Sequence, residues 1–111
     1  MNDSEWVRSR RLPPPPALLE RIELALSSHA DDSTMSRSEN FARAAAGVIA
    51  PLVAPDSVDA SRDREVATNL LAVDALVTYA IEAAAEECGT IAQNVDRVIA
   101  RLASLAPSAK I

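Results

Sequence analysis

Residues 66–105 read VATNLLAVDALVTYAIEAAAEECGTIAQNVDRVIARLASL, and two apolar stripes at helical spacing meet inside that stretch. Val66, Leu70, Val73, Val77, Ala80 and Ala84 alternate steps of four and three. Beyond Cys88-Gly89-Thr90, Ile91, Val95, Val98, Leu102 and Leu105 repeat the pattern. Such steps return to one face of a helix with 3.6 residues per turn. Gly89 is the residue type that ends a helix in left-handed backbone, and Thr90-Ile91-Ala92-Gln93 fits the box that caps a new one. Period, stop and restart agree, so the stretch predicts an antiparallel helical hairpin. Its first helix is expected to start between Ser57 and Ser61 and reach about Cys88. Its second is expected to end near Ala106, where Pro107 removes a donor.

The same logic extends toward the N-terminus. Leu18, Leu19, Ile22, Ala25 and Leu26 gather on one side of a helix predicted over 16–28, with Pro16 in its first turn, where a missing N–H costs nothing. His29 to Thr34 carry the turn types of a connection. Ser36-Arg37-Ser38-Glu39 opens another helix with a capping box, and Phe41, Ala45, Val48, Ile49 and Leu52 form its expected buried stripe. The opposite side, Arg43, Ala46, Gly47 and Ala50, is small enough for a second helix to pack closely. Pro51 and Pro55 bring that helix to an end.

Ahead of the first of these helices, residues 1–12 show no sustained period and are expected to form a mobile arm. Pro13, Pro14, Pro15 and Pro16 continue it as a short polyproline II rod. The fold class predicted is therefore all-α: a four-helix bundle-like domain over 16–106 with the C-terminal hairpin, a flexible Pro-rich arm over 1–15, and a frayed tail over 107–111.

Composition narrows the function classes. The chain has 111 residues and a formal net charge of -5, with 16 acidic residues against 11 basic ones. That balance disfavours nucleic acid and anionic membranes, both of which select a basic face. No uncharged run approaches the length of a membrane span and no apolar signal core opens the chain, so a cytoplasmic location is expected. One cysteine permits no intrachain disulfide. Much of the 49% apolar content is alanine, which favours helix but buries little area. A thin core of this kind leads us to expect a protein partner or self-association, as a homo-oligomer or an accessory subunit.

Few residues carry chemistry. One histidine, one cysteine and scattered carboxylates do not make a metal site, and no Glu-x-x-His pair of a di-iron bundle occurs. Cys88, at a helix C-terminus beside Glu86 and Glu87, sits where a thiolate is disfavoured. No catalytic residue, cofactor or metal is therefore expected. Asp74 lies at the margin of the apolar stripe, where a charge either turns to the solvated edge or is answered by a partner such as Arg97, Arg101 or another chain's arginine. Leu71 and Tyr79 make the back of the same helix more apolar than a solvated face requires.

The arm holds a short linear pattern. Arg10-Arg11-Leu12-Pro13-Pro14-Pro15-Pro16 fits the Arg-x-x-Pro-x-x-Pro class of polyproline ligands, and Trp6 upstream is either a partner anchor or a ring that folds back on the bundle. Residues 70–78, Leu-Leu-Ala-Val-Asp-Ala-Leu-Val-Thr, resemble a helix of polyprenyl diphosphate synthases. The chain lacks that family's aspartate-rich motifs and is too short for its fold, so the likeness implies no activity.

The candidate partner-binding residues are thus Trp6, Arg10, Arg11, Leu71, Asp74 and Tyr79. The sequence favours a non-enzymatic interaction module: an accessory subunit, adaptor or antitoxin-like regulator acting through helical faces. Two alternatives stand beside it, a small ligand-binding or catalytic bundle using Asp74 and Glu82, and a nucleic-acid-binding regulator.

Overall fold

Among the described residues there are five helices, one more than the sequence predicts. In the computed structural model, which describes residues 2–29, 35–52, 60–87 and 89–103, they are α1 (Asp3–Arg8), α2 (Pro16–His29), α3 (Arg37–Leu52), α4 (Ala60–Glu86) and α5 (Ile91–Ala103). Cys88, Leu105, Pro55 and the expected tail over 107–111 lie outside the described residues. No strand occurs among those described.

The caps act as their residue types require. Ser36 Oγ accepts from Glu39 N–H at 3.3 Å, and Thr90 Oγ1 accepts from Gln93 N–H at 3.1 Å. Gly89 has φ of 106°, a conformation that a side chain disfavours, and there the chain turns from α4 into α5. Pro51 is tolerated inside α3, in the last described turn of that helix.

α3 is the central helix. Phe41, Ala42, Ala44, Ala45 and Ala46 are buried in near-continuous order, because α2, α4 and α5 all pack on it. Small residues allow this crowding. A methyl group on Gly47 would collide with the His29 ring at the end of α2, so glycine permits that crossing.

Two expectations need correction. The first concerns the phase of α4. Its buried face is Ala72, Leu76, Tyr79, Ala80, Ala83 and Ala84, while Val73 and Val77 are half-buried and Leu70 is exposed. Tyr79, read as the back of the helix, belongs to its buried front. Apolar residues surround α4 almost completely, so apolarity alone did not fix its orientation; the fit of alanines against the alanines of α3 did. In α5, likewise, Val98 and Asn94 are buried and Ile91 is exposed.

The second correction concerns the arm. Residues 3–8 form a helix, and Trp6 and Val7 are buried in the core cluster. Asn2 caps it by accepting from Glu5 N–H at 2.8 Å, and Asp3 and Glu5 favour its positive end. Six residues have no independent helical stability, so the docking of Trp6 supplies what length cannot.

Candidate interaction surface

Trp6, Phe41 and Tyr79 are the chain's three aromatic residues, and the fold brings them together. Trp6 lies 5.2 Å from Phe41 and 5.9 Å from Tyr79 between ring centroids, the latter edge to face at 87°. Phe41 and Tyr79 close the triangle at 6.0 Å. Such pairs add about 0.5–1.5 kcal/mol each beyond the area they bury. Arg10 lies over the outer side of this cluster, its Cζ 3.6 Å from the Trp6 ring centroid. Arg10 Nη1 also meets Glu86 at 3.1 Å and Glu82 at 3.6 Å, while its Nε is buried without a hydrogen-bond partner.

Polar contacts fasten α1 to its neighbours. Asp3 accepts from Arg37 Nε and Asn40 Nδ2 of α3, both at 3.0 Å. Ser4 and Arg8 share the Glu23 carboxylate of α2. The ion pairs are partly exposed and each adds about 0–1 kcal/mol, so the buried rings dominate the docking.

Burial raises the Tyr79 phenol above its ordinary value of 10.0, the Glu82 carboxylate adds to the rise, and Arg10 opposes it. Tyr79 lines a recess of about 450 Å³ with Ser9, Arg10, Arg11, Leu12 and Glu82. Arg11 is exposed at its edge.

Leu71 and Asp74 occupy a different place. Both are exposed on the outward side of α4, together with Leu70 and Ile81. Neither expected arginine answers Asp74: Arg97 donates to Asn94 Oδ1, and Arg101 pairs with Glu39 at 3.3 Å. The six candidate residues therefore divide. Trp6, Arg10 and Tyr79 form one cluster with Arg11 at its rim, and Leu71 and Asp74 lie on a separate face. Trp6 and Tyr79, each less than 10% exposed, are core residues and not surface anchors.

Residues that the periodic reading passed over hold the helix ends. Asn94, buried although it lies outside the expected stripe, donates through Nδ2 to the carbonyls of Ala84 at 2.9 Å and Glu87 at 3.3 Å, which closes the end of α4. Glu87 accepts from Ser38 N–H at 2.9 Å and Ser38 Oγ at 2.8 Å, a carboxylate at the start of α3. The signal for α1 was also present: Asn2-Asp3-Ser4-Glu5 is a cap followed three residues later by glutamate.

Other places offer less chemistry. His29 lines a cavity of about 300 Å³ with Glu65 and Asn69, between the ends of α2 and α3 and the first half of α4. Among the described residues no group of three or more histidine, cysteine or carboxylate side chains is placed to hold a metal ion. The segment Arg64–Glu86 of α4 is long and apolar enough by length and composition to cross a membrane: an 18-residue window within it has a mean hydropathy of 1.4, and 28% of that window is buried here. Comparison with known protein families, curated proteins and solved structures finds no match to this chain.

Proposed function

We propose that the protein is a non-enzymatic interaction module, an accessory subunit, adaptor or antitoxin-like regulator that docks another protein chain on the outward side of α4. The observation that carries this reading is the exposure of Leu70, Leu71 and Ile81 on α4, the longest of the described helices. Leu70 and Ile81 fall within about 20° of each other on a helical projection, with Asp74 beside them. An apolar strip around one charge is the surface that a second helix covers.

Charge gives that helix a character. The exposed positions of α4 from Leu70 to Glu86 include Asp74, Glu82 and Glu86 and no basic residue. A complementary helix presents apolar side chains with an arginine or lysine opposite Asp74.

The catalytic alternative has less support. Asp74 and Glu82 are separated by about 12 Å along the helix, and Asp74 is exposed whereas Glu82 belongs to the recess beside Tyr79. The nucleic-acid alternative meets an acidic surface at the same place.

The test compares the wild type with the double variant Leu71→Glu, Ile81→Glu in sedimentation velocity and in capture from the native cells. The wild type is expected to form a complex of defined mass that the variant loses, with its far-ultraviolet circular dichroism unchanged. A wild type that sediments as a monomer at every concentration and recovers no defined partner overturns the reading. So does flotation of the wild type with lipid vesicles in place of a protein complex.

A further inference from the structure

Residues 10–16, Arg-Arg-Leu-Pro-Pro-Pro-Pro, connect α1 to α2, and the first role of such a segment is to span a gap. Its geometry does more than that. Each of Leu12, Pro13, Pro14 and Pro15 precedes a proline, which disfavours the helical region for all four, and the pyrrolidine rings fix φ at the prolines. Such residues favour a left-handed polyproline II backbone with three residues per turn; Pro13, Pro14 and Pro15 lie outside any helix or turn, and α2 begins at Pro16. Pro14 is half-buried, whereas Arg11, Leu12, Pro13, Pro15, Pro16 and Ala17 are exposed. Pro14 therefore faces the bundle. In polyproline II backbone the two exposed X-Pro pairs, Leu12-Pro13 and Pro15-Pro16, stand about 9 Å apart, the second of them at the first residue of α2.

Both ends of the rod are held. Trp6 is buried on one side and Arg10 N–H donates to the Val7 carbonyl at 3.2 Å; on the other, Leu19 N–H donates to the Pro15 carbonyl at 2.8 Å. The segment is thus ordered before any ligand arrives. Leu12, 86% exposed, contributes nothing to the core. A large apolar side chain and three exposed prolines held rigidly in solvent are a recognition surface.

We propose that residues 10–16 are a preformed polyproline ligand for a protein groove lined by aromatic side chains and rimmed by carboxylates, and that the contacts of Arg10 with Trp6, Glu82 and Glu86 regulate its affinity. The two X-Pro pairs fit two adjacent aromatic slots, which accept rigid proline rings at little entropic cost. In an unbroken polyproline helix Arg10 falls on the edge shared by Pro13 and Pro16, where the acidic rim of such a groove meets it. Here the chain bends at residues 10–12 and returns Arg10 over the Trp6 ring. One indole face and two carboxylates give it the same kind of partners that the groove offers. The groove and the bundle therefore compete for one guanidinium.

The test uses the full chain labelled with nitrogen-15, titrated with an unlabelled isolated domain of the SH3 type that has an acidic specificity pocket. Amide shifts are expected at Arg10, Arg11, Leu12 and Ala17, together with the Arg10 Nε–H. Leu12→Ala, at a position with no part in the fold, and the pair Pro13→Ala, Pro16→Ala weaken binding by about tenfold or more. Glu82→Gln combined with Glu86→Gln frees Arg10 and strengthens it by about threefold or more. Leu71→Glu leaves it unchanged, which separates this result from the proposed use of the α4 face. Absence of shifts at saturating domain, shifts centred on Leu71 and Ile81, or unaltered affinity in the Leu12 and proline variants overturns the ligand assignment. Weaker or unchanged binding by the glutamine pair overturns the competition for Arg10.

Discussion

Replacing Trp6 with alanine tests the docking of α1 and, with it, the architecture of the N-terminal third. Trp6 is 3% exposed, so nearly all of its side chain leaves water on folding. A tryptophan buries about 150–250 Å², which at about 25 cal/mol per Å² is roughly 4–6 kcal/mol. A compact denatured ensemble reduces that by about 10–40%, to roughly 2–5 kcal/mol, which overlaps the range of about 3–5 kcal/mol seen when large aromatic residues are cut to alanine in cores. The loss has a structural corollary, since six residues do not hold a helix unaided. Asp3 and Ser4 then leave Arg37, Asn40 and Glu23 as well. Urea denaturation followed by far-ultraviolet circular dichroism measures the change, because the variant has no tryptophan to report. Hydrogen exchange of residues 3–8 supplies the local readout. A loss below about 1 kcal/mol with protection retained over those residues refutes the reasoning, and α1 is then held by something other than the indole. Trp6→Phe keeps a ring against Phe41 and Tyr79 and is expected to cost less than half as much.

Other perturbations have equally definite outcomes. Gly89→Ala forces a side chain into backbone with φ of 106° and is expected to cost about 1–2 kcal/mol, read as a lower melting temperature with unchanged helix content. Glu87→Ala removes the carboxylate that accepts from Ser38 N–H and Oγ and should cost about 1–2 kcal/mol, with faster hydrogen exchange at the start of α3. The raised phenol of Tyr79 makes the folded state prefer the neutral ring. Its stabilising contribution is complete below the ordinary value of 10.0 and is lost as pH rises through the higher folded value, where the unfolded chain releases its proton first. Tyrosinate absorbance in the native protein should therefore reach its midpoint above 10.0, move further up in Arg10→Ala and move down in Glu82→Gln.

The helices of this chain were legible because their ends are written in residue types that act locally. Pro16, Ser36, Thr90 and Gly89 each determine what the adjacent backbone does, whatever lies elsewhere in the fold. The orientation of α4 was not legible for the opposite reason. Leu70, Val73 and Val77 make as good a stripe on paper as Ala72, Leu76 and Ala83, and the choice between them depends on α3, a helix remote in sequence. Trp6 illustrates a third case. A six-residue segment is too short for a period to declare itself, and its helix exists because Phe41 and Tyr79 offer the indole a place. Asn94 and Glu87 were missed because polar residues beside an apolar stripe read as solvated, although each closes a helix end that the stripe leaves unsatisfied.

The aromatic triangle also imposes an order in time. Trp6 is translated long before Tyr79, with roughly 70 residues between them, which at about 5–20 residues per second is roughly 4–15 s of synthesis. Throughout that interval the indole lacks one of the two rings that enclose it, and the N-terminal segment is open to chaperones, proteases or a binding protein at the ribosome. Burial of Trp6 thus marks the arrival of the C-terminal half of α4, and tryptophan emission from arrested nascent chains of increasing length would register when the first part of the protein receives its shelter from the last.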